Sequence, residues 1–122
     1  MSTARSRSYH NNAYQFVFSA LHYAQENLGR DADSGHVSGR ELLEGVRELA
    51  RQHYGLMTIS VFAEWGIHST EDFGKIVFEL IELGDMRKTD DDRLEDFVDV
   101  YDFQKVFVED YEVDTARAFS RS

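Results

Sequence analysis

A mainly α-helical domain with one small β-hairpin is the fold this sequence predicts, and three observations predict it. Apolar residues recur at helical spacing through four separate stretches. Each stretch is followed by a glycine, and two of them open on a capping pattern. After Gly84 the apolar period changes from helical to alternating.

The first helix is expected over about 12–28. Tyr14, Val17, Phe18, Leu21, Ala24 and Leu28 fall on one face, and Gly29 stands at the C-terminal cap position. GRDADSG, 29–35, reads as a polar loop. Ser38-Gly39-Arg40-Glu41 fits a capping box, in which the Ser38 hydroxyl and the Glu41 carboxylate each satisfy a free backbone amide. The helix it opens carries Leu42, Val46, Leu49, Ala50 and His53 or Tyr54 inward and ends at Gly55. Arg40, Glu44, Arg47, Glu48 and Arg51 alternate on its outer side at pairable spacing.

A short third helix fits 56–65, with Ile59, Phe62 and Trp65 on one face. Ser69-Thr70-Glu71-Asp72 starts the fourth, with acids in the first turn where the helix dipole favours them. Phe73, Ile76, Val77, Leu80 and Ile81 are its stripe. Gly45 and Gly74 sit inside helices, where each costs about 1 kcal/mol against alanine. The expectation is that they let neighbouring helices approach closely.

Beyond Gly84, 86–88 reads as a short strand, 89–92 as a turn and 97–101 as a returning strand. Asp102 is then placed to cap a last helix over 103–111, with Phe103, Val106 and Phe107 inward. Three helices followed by a hairpin is the element order of a winged helix-turn-helix. The sequence is therefore read as a winged helix-turn-helix-like core with an extra N-terminal and an extra C-terminal helix. The boundaries follow as a single domain over 9–112 with flexible tails at 1–8 and 113–122.

HVSGRELLEGVRELA, WGIHSTEDFGKIVFELIELGDMRKTDDD and DVYDF together resemble a family of small, functionally uncharacterised bacterial proteins. The resemblance runs from about residue 14 to 111. It implies a compact single domain that includes the acidic hairpin, with no assigned catalytic residue and no known cofactor.

With 122 residues, 42% apolar and 30% charged, the chain can bury a core without disulfides or metal. The absence of cysteine excludes disulfides, thiolate metal sites and cysteine nucleophiles. No apolar run reaches the length of a membrane span, and nothing reads as a signal peptide, so a cytoplasmic setting without membrane contact is expected. The net charge is −10, and residues 61–122 carry all of it. Such a field repels phosphate backbones and attracts cations or basic proteins.

That charge weighs against duplex DNA binding. The candidate recognition helix with its stop, 69–85, sets Glu71, Asp72, Glu79, Glu82 and Asp85 against Lys75 alone. The hairpin, 86–102, has seven acids against Arg87, Lys88 and Arg93. DNA affinity draws on cations at phosphates.

A calcium loop starting at Asp90 fails at its fifth, sixth and twelfth positions, which are Leu94, Glu95 and Tyr101. His10, His22, His36, His53 and His68 make no metal-binding helical pair. No phosphate loop or nucleophile motif occurs. The enzyme reading is thus disfavoured though open, and no cofactor is expected.

What remains is interaction. An aromatic ringed by carboxylates suits a partner protein with a basic segment, since aromatics anchor and acids steer. The candidate partner-binding residues are Asp90, Asp91, Asp92, Asp96, Phe97, Asp99 and Tyr101. Either Phe97 or Tyr101 is expected to face outward. A monomer or a small homo-oligomer is compatible with this composition.

Overall fold

The structure is a computed structural model, and it describes residues 9–29, 37–84, 86 and 93–109. Four α-helices carry the fold: α1, Asn11–Asn27; α2, Gly39–Tyr54; α3, Thr58–Glu64; and α4, Thr70–Glu82. A 3-10 turn, Gly55–Met57, joins α2 to α3. A second 3-10 turn, Leu94–Phe97, and a π-helical turn, Lys105–Glu109, follow α4.

The helix ends follow from local chemistry. Ser38 and Glu41 form the reciprocal capping box, with Ser38 N donating to the carboxylate at 2.9 Å and Glu41 N to the hydroxyl at 3.1 Å. At α4, the Asp72 carboxylate accepts from His68 N at 2.7 Å and Ser69 N at 3.2 Å. The α2–α3 joint is closed by Thr58, fully buried, whose hydroxyl donates to Gly55 O at 2.7 Å and Ala50 O at 3.3 Å. His10 N donates to Trp65 O at 3.2 Å and so ties the start of α1 to the end of α3.

The core lies between α1, α2 and α4, with Phe62 of α3 at its aromatic centre. Phe62 meets Phe73, Phe103 and Phe107 edge-on, at centroid distances of 5.2, 5.5 and 5.7 Å. Gly45 admits α1: a Cβ there would stand 3.0 Å from Ala20 O and 3.2 Å from Ala24 Cβ. The inner face of α1 is turned from the one expected. Ala13, Phe16 and Ala20 are buried with Tyr14 and Val17, whereas Leu28 is exposed and Phe18 and Leu21 are half-buried.

The hairpin is overturned, and with it the winged helix-turn-helix reading. The structure is mainly helical, and no strand occurs among the described residues. The expected first strand and turn fall largely outside them, since 87–92 are not described. The expected second strand is something else. Its first residue, Phe97, closes the 3-10 turn, and Asp99 has a φ of +51°, which a strand does not allow.

Two long-range contacts explain the difference. Phe97 is 3% exposed and enters a slot between α2 and α4 that two glycines open. A Cβ on Gly74 would lie 2.7 Å from Phe97 Cβ and Cγ, and one on Gly39 would lie 2.9 Å from Phe97 Cζ. Gly74 therefore makes room for this turn rather than for another helix. Thr70, fully buried at the first position of α4, supplies the backbone partners that a neighbouring strand would have supplied. Its hydroxyl donates to Phe97 O at 2.5 Å and accepts from Val100 N at 3.2 Å.

The described part of the expected last helix, 103–109, is helical, and Phe103, Val106 and Phe107 are all buried as the spacing predicts; 110 and 111 lie outside the described residues. The tails assigned to 1–8 and 113–122 lie outside the described residues. Among the described residues no helix is long and apolar enough to cross a membrane.

Two substitutions test this anchoring by urea unfolding followed with circular dichroism. Gly74→Ala should cost about 1–3 kcal/mol through overpacking, despite the better helix propensity of alanine. In a Phe97→Gly background it should cost less, because the Phe97 Cβ and ring are both gone and the remaining neighbour, Leu94 Cδ1 at 2.9 Å, is the end of a flexible side chain, so the two changes will be non-additive. Thr70→Val keeps the shape and removes the hydroxyl. It should cost about 1–3 kcal/mol by stripping the Phe97 carbonyl and Val100 amide of their partner, whereas Thr70→Ser should retain most of the stability.

Candidate functional site

Beside the Thr70 anchor, the turn after α3 and the segment 99–104 face each other across an open cleft of about 500 Å³. Its apolar lining is Ile59, Ile67 and Phe103, and its polar lining is His68, Ser69, Asp99, Asp102 and Gln104, with Tyr101 between the two. Among the described residues no arginine or lysine lines it.

Each wall has a reason for its position. Gly66, at φ +90°, reverses the chain after α3, and Ile67 N then donates to Phe62 O at 2.8 Å. That buries Ile67 to 1% exposure and delivers His68 and Ser69 to the start of α4. On the opposite wall, the left-handed backbone at Asp99 follows the Thr70 contacts, and aspartate is one of the few residues that tolerates it. The carboxylate of Asp99 stays in solvent. Asp102 is also exposed, and its Oδ1 accepts from Gln104 N at 2.8 Å.

Tyr101 spans the inside and the outside. Its ring borders the cleft and its hydroxyl runs inward to donate to Leu43 O of α2 at 2.6 Å. Burial raises the phenol far above its ordinary value of 10.0; Glu44 pushes in the same direction and Arg47 opposes it. A second tyrosine is raised in the same way. Tyr9 donates to Asp72 Oδ1 at 2.7 Å, and partial burial, that carboxylate and the nearby Glu79 hold on to its proton. The Tyr14 hydroxyl in turn donates to Glu79, and this network clamps α1 to α4.

Among the described residues expected to bind a partner, Asp99 and Tyr101 meet in the cleft and Asp96 and Phe97 do not. Asp90, Asp91 and Asp92 lie outside the described residues. Asp96 is half-buried and accepts from Arg93 N at 3.3 Å, so it caps the 3-10 turn. Phe97 is a core residue, and its outward alternative is excluded by its burial. Tyr101 is the aromatic of the pair that reaches the surface.

The sequence reading missed Ile59, Ile67, His68, Ser69 and Phe103 as cleft residues and treated Asp102 only as a cap. One signal for the first wall was present. WGIHS places a turn glycine directly before an apolar-polar pair and a helix start.

His68, Ser69 and Asp102 share the cleft; no hydrogen bond links the imidazole to the serine or to the carboxylate, and the Ser69 side chain caps α4. The arrangement instead offers two exposed carboxylates over an apolar floor. Compared with known protein families, curated proteins and solved structures, the chain matches none. The cleft is accordingly read from its own geometry.

The tyrosine environments give a pH dependence with a definite sign. Both phenols prefer the proton in the folded state, so the stability they contribute is complete below the ordinary value of 10.0 and is lost as pH climbs through the raised values. In a spectrophotometric titration, Tyr9 and Tyr101 should be missing from the phenolate absorbance that develops around that value and should ionise only as the protein unfolds. Tyr9→Phe and Tyr101→Phe should leave the early amplitude unchanged.

Proposed function

We propose that this protein is a non-catalytic interaction domain whose cleft receives a basic, aromatic-bearing segment of a partner protein. The observation that carries the reading is that Asp99 and Asp102, both exposed, line one cleft with Tyr101 and with Ile59, Ile67 and Phe103, of which the last two are buried. An apolar floor favours burial of one large side chain, and carboxylates at the rim steer and orient cations on either side of it. A volume of about 500 Å³ suits one aromatic and its neighbours rather than a folded surface.

The surroundings support this choice. The segment 93–109 holds five acids against Arg93 and Lys105. Leu56 and Met57, 48% and 61% exposed, precede Ile59 in the chain and offer further apolar surface near one wall. Along α4, Glu71, Asp72, Glu79 and Glu82 outnumber Lys75, which disfavours a nucleic-acid backbone on that helix. The reading needs no cofactor and takes the cytoplasm as its setting.

Fluorescence anisotropy with short labelled peptides checks it. A peptide with one aromatic between two arginines should bind and should weaken as salt is raised. Binding should fall by about tenfold in an Asp99→Asn/Asp102→Asn variant, which keeps the amide-capping oxygen of residue 102. Equal binding of a peptide with glutamates in place of the arginines would overturn the proposal.

A further inference from the structure

The charge of this chain is segregated more sharply than its net value indicates. Residues 9–114 carry nine basic and 23 acidic side chains, a net −14. Residues 115–122, TARAFSRS, carry Arg117 and Arg121 and no acid. Phe119 stands midway between the two arginines, two residues from each. In an extended chain, side chains at that spacing fall on one face. Arg117, Phe119 and Arg121 then present a cation, an aromatic and a cation over about 13 Å. This is the ligand chemistry that Asp99, Tyr101 and Asp102 call for above an apolar floor.

The connection is short. Phe103 and Gln104 line the cleft, and the described chain continues through the single turn Lys105–Glu109. Glu109 is thus removed from Gln104 by about 8 Å of helical rise. Thr115 lies six residues further on, and six extended residues reach about 20 Å. A tether of this length gives an effective concentration on the order of millimolar, so even a weak intrinsic affinity suffices for occupancy.

We infer that residues 115–122 dock in cis in the cleft, with Phe119 on the apolar floor and Arg117 and Arg121 at the Asp99 and Asp102 carboxylates, so that a partner's basic segment must displace them. The inference rests on the proposed reading of the cleft and adds its occupant. The other acid-free basic segment, residues 2–8, STARSRS, has Arg5 and Arg7 but no side chain for the floor.

The test uses chains of all 122 residues and the free peptide TARAFSRS as probe. The variant Arg117→Ser/Phe119→Ser/Arg121→Ser should bind the peptide about tenfold more tightly than the unaltered chain, because the internal competitor is gone. The chain has no cysteine, so Ser122→Cys takes a single spin label. That label should broaden the amide resonances of His68 and of residues 99–104 to the same degree at every protein concentration. Equal peptide affinity for both chains would overturn the docking and leave the reading of the cleft intact. No binding to either chain would overturn both. Broadening only between different chains, or a gain in affinity from Arg5→Ser/Arg7→Ser instead, would also overturn docking by this segment in cis.

Discussion

The Thr70 hydroxyl holds the rest of this arrangement in place. It is one side-chain oxygen at the first turn of α4, and it serves a carbonyl and an amide nearly thirty residues away. A segment that crosses a helical face without pairing to a strand must still satisfy its backbone polar groups where it is buried. Thr70 does this at the point where Phe97 enters the slot made by Gly39 and Gly74. The left-handed turn at Asp99, the inward hydroxyl of Tyr101 and the outward carboxylate of Asp102 all follow in sequence from that fixed point. The cleft is a by-product of how the last third of the chain is fastened to α2 and α4.

What was legible in the sequence was local. The Ser38 and Glu41 box, the glycines after each helix and the buried Phe62, Phe73 and Phe107 depend on neighbours within a few residues or on a simple period. The hairpin was misread for the same reason. Alternation of Phe97, Asp99 and Tyr101 imitates a strand, and nothing nearby in the sequence shows that the partner of this backbone is a hydroxyl on α4. The positive φ of Asp99 is equally hidden, since aspartate does not demand it as glycine would suggest it. The orientation of α1 was blurred because Phe16, Phe18 and Leu21 surround much of the helix with apolar side chains, leaving two faces to choose between.

The site was half legible. Of the acidic run with interleaved aromatics, Asp99 and Tyr101 line the cleft. Asp96 and Phe97 belong to the anchoring turn instead, one as its cap and one as its wedge. The opposite wall comes from Ile67 and His68, some thirty residues earlier, and is assembled only when Gly66 turns the chain. A surface built from two distant segments leaves in each only a partial mark, here the turn glycine of WGIHS and the acids around Tyr101.

The 97–103 segment interleaves its two duties residue by residue. Phe97 and Phe103 are buried, Tyr101 is committed to Leu43 through its hydroxyl, and Val98, Asp99 and Asp102 are left in water. Within this segment the rim can therefore diverge at Asp99 and Asp102, and Asp99 is further restricted to residues that accept a left-handed backbone. Drift in ligand preference is thus channelled toward aspartate, asparagine and glycine at that position, so the reach of any new contact there stays short.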